Sequence, residues 1–343
     1  MANNTKQIAK LGVFTLAIMN VTAVVSLRGL PAEAEYGLSS AFYYLFAAIV
    51  FLIPTSLVAA ELAAMFKDKQ GGVFRWVGEA FGKKWGFLSI WLQWIESTIW
   101  YPTVLTFGAV AIAFIGMDHV YDMSLASNKV YSLIVVLCIY WLATFISLKG
   151  MGWVAKVAKI GGLVGTIIPA ALLVVLGVVY LLMGGVPQMD FHGSFFPDLS
   201  NMNNLVLASG IFLFYAGMEM SGIHVTDMEN PAKNYPKAIF TGAAITVLIF
   251  VLGTFALGVI IPQKDISLTQ SLLIGFDKYF AFLRASWLSP VIAVALAFGV
   301  LASVLTWVSG PSKGIFAVGK AGYLPPFFQK SNENGVQRNI LLV

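Results

Sequence analysis

Charged residues are scarce in this chain. Asp, Glu, Lys and Arg make up 11% of its 343 residues, against about 25% in an ordinary soluble domain, while hydrophobic residues make up 59%. A chain with so little polar surface cannot keep a fold of this size dissolved in water. The composition therefore excludes an ordinary soluble enzyme or binding domain and predicts a protein whose solvent is the lipid bilayer.

The sequence also lacks the usual reactive motifs. It has one cysteine, Cys138, so neither a disulfide framework nor a cysteine-based metal site can be built. No Walker sequence, HExxH, GxSxG or cysteine pair occurs, and the spacing of His224, Asp227 and Glu229 fits no usual metal site. The 21 Lys and Arg are scattered between apolar runs and form no basic face. We therefore expect no enzyme, no cofactor or metal, and no nucleic-acid partner.

Eight apolar stretches are long enough to cross a bilayer as helices, which takes about 20 residues each. They are continuous and about twice the length of a membrane strand, so we expect an all-α, polytopic membrane protein. The N-terminus has no short apolar segment followed by a small-residue cleavage site, and the first stretch is interpreted as a mature span. The eight stretches cover residues 11–30, 40–62, 88–116, 131–148, 156–184, 203–223, 237–262 and 287–309.

The chain ends on a short apolar run, residues 340–343, after a polar segment. This run is interpreted as the beginning of a ninth span. We therefore expect residues 1–343 to form a single transmembrane domain that holds helices 1–8 and the start of helix 9, in a sequence that is incomplete.

The basic residues predict the orientation of the spans. With the N-terminus placed in the cytoplasm, 16 of the 21 Lys and Arg fall on the cytoplasmic side. Cytoplasmic loops carry the excess of these residues in membrane proteins. The expected location is a cell inner membrane, crossed several times, with the N-terminus inside.

Two spans contain residues that interrupt helices. The first span carries Gly29 and Pro31, and the sixth carries Gly217 and Gly222. Irregular backbone at membrane depth is tolerated where it lines a polar cavity, and the ends of two half-helices suit a carboxylate and an ammonium group. This pattern favours binding of an α-amino acid. The alternative is that these residues only bend the helices or let them pack closely.

Ionisable and aromatic residues inside spans are further candidates. Glu219 lies beside the expected break of the sixth span and Glu96 lies within the third, and each is a candidate for gating or coupling, or else a packing residue. Arg28 is either an interfacial residue or the cation that receives a substrate carboxylate. Tyr215 and Trp307 could cover a bound ammonium group through cation–π contact, or could simply pack.

Three stretches resemble a known superfamily. They are ELAAMFKDKQGGVFRWVGEAFGKKWGF, FLFYAGMEMSGIHVTDMENPAKNYPKAI and VSGPSKGIFAVGKAGYLPPFFQKSNENGV. They are similar to the helix 2–3 signature, helix 6 and the helix 8–9 connection of the amino acid-polyamine-organocation (APC) superfamily. Within it, FFPDLS, GIHVTDMENP and WVSGPSKG look most like the bacterial glutamate:GABA antiporter family. The resemblance covers essentially the whole chain.

The resemblance implies a LeuT-like fold of two inverted five-helix halves and two further helices, twelve spans in all. It also implies that the unwound part of helix 1 binds the substrate carboxylate and that helix 6 binds the amino group. Glu219 stands at the place of the helix 6 glutamate that the superfamily uses in gating and coupling. The substrate positions implied in this chain are Val24, Val25 and Ser26 on helix 1, and Tyr215, Ala216 and Gly217 on helix 6.

The chain departs from the superfamily at three places. Residues 24–26 stand where many members have Gly-Ser-Gly, and Ser303 replaces an acidic residue of the glutamate:GABA antiporters. Residues 162–165 occupy the place of a helix 5 lysine found in some proton-coupled members, which favours exchange. The expected function is an antiporter that exchanges an amino acid for another or for its decarboxylation product. The alternatives are a proton-coupled uptake permease and a membrane sensor that does not transport.

Overall fold

The computed structural model describes residues 11–68, 71–191, 193–197 and 209–343. In these residues the regular secondary structure is helical, apart from one isolated bridge between Leu11 and Met228. Long uninterrupted apolar runs satisfy their backbone groups within each segment only as helices. The predicted all-α fold class is confirmed.

Fifteen helical segments carry labels in chain order below, with α11 described over residues 209–214. They are α1 Val13–Val24, α2 Leu30–Ala34, α3 Ser39–Ala47, α4 Ile53–Met65, α5 Val73–Phe81, α6 Lys83–Ala113, α7 His119–Ala126, α8 Lys129–Leu148, α9 Met151–Gly162, α10 Ile168–Leu182, α11, α12 Pro231–Ile260, α13 Ser271–Phe282, α14 Ser289–Lys320 and α15 Arg338–Leu342. π-Helical turns at Ala48–Leu52 and Leu163–Ile167 continue α3 into α4 and α9 into α10, and 3₁₀ turns lie at Leu27–Gly29, Met218–Asp227, Gln263–Asp265, Ser286–Leu288 and Pro326–Gln329.

Six helical stretches in the described residues are long and apolar enough to cross a membrane. They match six of the eight predicted spans. The third predicted span lies in α6, which has 31 residues but is less apolar than the six. The sixth predicted span, 203–223, lies partly outside the described residues. The six stretches are Val13–Ala34, Ser39–Met65, Lys129–Leu148, Met151–Leu182, Pro231–Ile260 and Ser286–Lys320.

The first span is a broken helix. α1 ends at Val24, and Val25 and Ser26 take extended backbone angles, with ψ of 116° and 103°. A 3₁₀ turn and α2 then carry the chain onward. Pro31 lies in the first turn of α2, where its missing N–H is of no consequence. The predicted interruption is confirmed, and Val25–Ser26 is called the first break below.

The sixth span is broken as well. The described part of α11 ends at residue 214, and residues 215–217 form a turn that is called the second break below. Gly217 has φ of 108°, a left-handed conformation that glycine adopts without strain. The chain continues as the 3₁₀ helix Met218–Asp227 rather than as a second α-helix. The predicted interruption is confirmed here too.

α14 lies at the centre of the bundle, where it packs against α6 and α9, while α1 packs against α12 and α9. The contact between α14 and the turn after α9 is made by glycines. A Cβ atom on Gly165 would collide with the backbone of Gly299. The absence of side chains at this crossing therefore lets the two helices approach at backbone distance.

Gly165→Ala is expected to lower the thermal unfolding midpoint of the protein in detergent. The added methyl group would force α9–α10 away from α14, and overpacking of this kind typically costs about 1–3 kcal/mol. Gly152→Ala is the matched control, because a Cβ atom there meets nothing within 4 Å. An unchanged midpoint for Gly165→Ala would contradict the close approach of Gly165 to Gly299.

Candidate functional site

The two breaks lie next to each other, with the indole of Trp307 between them. Trp307 Nε1 donates a hydrogen bond to the carbonyl oxygen of Ala23, at 2.9 Å. In an unbroken helix that oxygen would accept from the residue four positions on. A Cβ atom on Gly217 would lie 3.0 Å from the Trp307 ring and 3.6 Å from Val24. Trp307 therefore contacts both broken helices.

A second aromatic ring covers Trp307. Trp100 of α6 lies with its ring centroid 5.2 Å from that of Trp307, at an interplanar angle of 35°. Trp307 is 4% exposed as a result. Nothing in the sequence of α6 alone shows that the face with Trp100 meets α14.

The side chain of Tyr215 packs against α3 and α12. Its ring is fully buried against Tyr44 and Phe250, and its hydroxyl donates to the carbonyl oxygen of Tyr44 at 3.2 Å. Its side chain therefore holds the second break against α3 and α12. Ala216 is half-buried beside it.

Glu219 makes its contacts with α6. The side chain of Gln93 and the backbone of Gly217 interact with its carboxylate, so it links the second break to α6. Glu96, one turn from Gln93 and exposed, acts on Glu219 electrostatically. The sequence missed Gln93, although a Gln and a Glu three residues apart in an apolar helix share one face.

Arg28 contacts the same helix nearer its other end. Its guanidinium donates to Thr103 Oγ1 at 3.2 Å, and its Nε has no partner among the described residues. Thr103 and Gln93 are separated by about 15 Å along α6, at 1.5 Å per residue. A cation and a carboxylate therefore stand on either side of the two breaks, with Trp100 between them along α6.

The space beside the first break is small. A cavity of about 10 Å³, enough for about one water, is lined by Asn20, Ser221, His224 and Thr306 among others. The amide Nδ2 of Asn20 is buried there without a partner among the described residues. Asn20 is not among the site residues that the sequence indicated.

One end of the bundle is held by an ion pair. Lys313 Nζ of α14 lies 2.5 Å from Asp227 Oδ2, and His224 Nδ1 lies 3.5 Å from the same oxygen. Burial would raise the pKa of Asp227, but His224 and Lys313 outweigh it and lower the pKa to about 2. Because the pKa is depressed, the pair stabilises the fold above the ordinary carboxyl pKa and loses that contribution only as pH falls towards 2.

Lys313→Gln is expected to open this end of the bundle. The substitution removes the cation that pairs with Asp227. The loss of such a coupling typically changes the ratio of open to closed protein roughly fivefold or more. The measurement is the labelling rate of Ser221→Cys, in a Cys138→Ser background, by a membrane-impermeant thiol reagent added on the side of Asp227.

Lys320→Gln is the matched control for Lys313→Gln, because Lys320 is an exposed residue of the same helix. We expect its labelling rate to equal that of the parent. Equal rates in all three proteins would contradict a closing role for the Lys313–Asp227 pair.

Broken helices that meet near the middle of a membrane bundle, with polar groups around them, are typical of secondary transporters. The comparisons with known proteins agree. A family model described as amino acid permease matches residues 11–343. The chain belongs to the amino acid permease family, within the APC superfamily, and the superfamily expected from the three sequence stretches is confirmed.

Three relatives show the range of the family. An uncharacterized transporter of Legionella pneumophila is 38% identical over 340 residues, which cover 99% of this chain and 72% of the relative. A glutamate/gamma-aminobutyrate antiporter of Lactococcus lactis is 32% identical over 348 residues, covering 99% and 67%. A probable agmatine/putrescine antiporter of Lactococcus lactis is 26% identical over 326 residues, covering 93% and 67%.

The chain thus spans between 67% and 72% of the length of these three relatives. All three are named as transporters, and this chain is a transporter protein of the membrane rather than an enzyme.

Proposed function

We propose that this protein exchanges amino acids across the membrane, an amino acid moving one way and another amino acid, or its decarboxylation product such as GABA, moving the other. The observation that carries this proposal is the pair of breaks that face each other across Trp307, with Ala23 on one side and Gly217 on the other. The proposal is supported by the relative named as a glutamate/gamma-aminobutyrate antiporter.

The backbone at the breaks has the groups that an α-amino acid needs. The first N–H groups of the 3₁₀ turn that begins at Leu27 have no partner within that turn and suit the substrate carboxylate. Freed carbonyl oxygens around the second break suit the ammonium group. In this proposal Val24, Val25 and Ser26 line one side, and Tyr215, Ala216 and Gly217 line the other.

Arg28 supports a substrate with a second carboxylate. Among the described residues its Nε has no hydrogen-bond partner and no carboxylate forms an ion pair with it. An acidic side chain that reaches Arg28 would supply the missing acceptor with a charge-assisted hydrogen bond. We therefore propose an acidic amino acid as one of the two exchanged substrates.

The glycine at the end of α9, Gly162, supports exchange over proton symport. Some proton-coupled members of the superfamily are expected to carry a lysine in this region. Here Gly162 packs so closely on the first span that a Cβ atom would collide with Thr22 Oγ1. A lysine side chain has no room at that position.

We further propose that the protein lies in a cell inner membrane with its N-terminus in the cytoplasm. The Lys313–Asp227 pair then closes the cytoplasmic end, and Arg28 lies towards the outside. The excess of Lys and Arg on the proposed cytoplasmic side supports this orientation.

The experiment is a counterflow assay with the full natural chain in liposomes. Vesicles preloaded with unlabelled glutamate, GABA or another amino acid receive radiolabelled substrate outside. Exchange predicts uptake that preloading accelerates several-fold. Uptake that ignores preloading would contradict exchange and favour a proton-coupled permease. Binding without any flux would favour a sensor.

A further inference from the structure

A second buried carboxyl group lies away from the two breaks. Glu33 of α2 is 3% exposed, and its Oε2 has no hydrogen-bond partner among the described residues. Its neighbours in sequence, Ala32 and Glu35, are more exposed. Glu33 is not among the candidate residues that the sequence indicated, because only the packing of α2 shows that this side chain faces inward.

The groups that face Glu33 are hydroxyls and one like charge. Three tyrosines interact with it electrostatically, Tyr36 after α2, Tyr44 of α3 and Tyr215 at the second break. Among the described residues, Glu35 is the charged group that interacts with Glu33. From α12, Thr254 donates a hydrogen bond to the Tyr44 hydroxyl. In the described part of the chain, no Lys, Arg or His interacts with Glu33 electrostatically.

An ionised carboxylate in such a place is unfavourable. A buried charge is tolerated when a cation or several hydrogen bonds compensate it, and removing that compensation costs several kcal/mol. Glu33 Oε2 has neither among the described residues, and the nearby Glu35 adds repulsion. A bound proton removes the charge and with it this penalty.

A cavity lies beside the residues that follow Glu33 in the chain. It has a volume of about 150 Å³, large enough for water, and Ala34 and Tyr36 line it, as do Asp190 and Gln263. The Tyr36 hydroxyl is buried without a partner in the described residues, so it is available for a hydrogen bond. The cavity therefore brings water to the residues next to Glu33 in sequence.

We propose that Glu33 is a proton-binding site on the outer half of the first broken helix. It takes a proton from the outer solution before this half closes over the site, and it releases the proton when this half opens. The proposal rests on the transport cycle proposed above, since it supposes that the outer half of the helix moves.

The site and Glu33 are linked through Tyr215. The ring of Tyr215 packs on Tyr44, its hydroxyl donates to the Tyr44 backbone, and both tyrosines face Glu33. A change of charge on Glu33 therefore changes the electrostatic potential at Tyr215, the first residue of the second break. Protonation and substrate exchange are coupled in this way.

The first test is the exchange rate of the full natural chain in liposomes at external pH from about 5 to about 8. We expect the wild-type rate to depend on external pH and Glu33→Gln, which mimics the protonated form, to lose that dependence. Glu61→Gln, at an exposed carboxylate of α4 that does not act on Glu33 within the described residues, is the matched control and should keep the wild-type profile. A Glu33→Gln profile that follows the wild type would overturn the proposal, as would a wild-type rate that ignores external pH.

The second test does not need transport. An infrared difference spectrum between high and low pH should show the C=O band of a buried carboxylic acid in the wild type, and Glu33→Gln should lose that band while Glu61→Gln keeps it. If Glu33→Gln fails to insert, Glu33→Asp should shift the band instead. A band unaltered in the variant overturns the assignment to Glu33. A wild type with no counterflow but with this band contradicts only the proposed exchange.

Discussion

Glu219→Gln is expected to reduce amino acid exchange roughly 100-fold, a loss at the upper end of typical coupling energies, while the protein still inserts. The amide keeps the size of the side chain next to Gln93, but it cannot carry the charge of the carboxylate. Radiolabelled counterflow over a range of pH measures the effect.

Glu61→Gln is the matched control for Glu219→Gln, because Glu61 is an exposed carboxylate near the end of α4. Its exchange rate should equal that of the wild type. If Glu219→Gln also transports at the wild-type rate at every pH, Glu219 has no part in the transport mechanism. Its interaction with Gln93 then contributes only to packing.

Trp307→Ala is expected to abolish high-affinity substrate binding and to destabilise the protein by about 3–5 kcal/mol. The substitution leaves a cavity between the breaks and removes the donor to the Ala23 carbonyl. Trp307→Phe separates the two effects, because it keeps a ring against Gly217 but lacks the N–H, and a lost hydrogen bond costs about 1 kcal/mol. Substrate binding by calorimetry and thermal unfolding in detergent measure these changes.

Trp141→Ala provides the comparison for Trp307→Ala. Trp141 is 43% exposed on α8, so its loss should leave both binding and unfolding close to the wild type. Equal effects of the two substitutions would mean that Trp307 acts through bulk hydrophobicity and has no particular role between the breaks.

Much of the fold could be predicted from the sequence, because apolar length and the residues that break helices are local properties. Pro31 and Gly217 marked the two interrupted spans correctly. The first break itself lies at Val25–Ser26, before Gly29 and Pro31, since proline is well accommodated in the first turn of the helix that follows. The substrate positions Val24, Val25 and Ser26 were implied by the family resemblance and not by the positions of Gly and Pro.

The contacts across the site could not be predicted in the same way. Trp307 reaches a carbonyl 284 positions earlier in the chain, and no local pattern indicates that partner. Gln93 and Trp100 belong to an apolar helix in which several faces are similar. Glu33 stood in the sequence beside Glu35, and only the packing of α2 separates the buried carboxyl from the exposed one.

The short bridge near the start of α1 has a consequence for how this protein works. Leu11 donates to the Asp227 carbonyl at 2.8 Å and accepts from the Glu229 amide at 3.4 Å, so the backbone of the first broken helix is joined to that of the second. The Lys313–Asp227 pair lies at the same point. In the proposed exchange cycle, opening towards that side would break these backbone hydrogen bonds and the ion pair together, and this would favour a single cooperative opening over partial openings that leak.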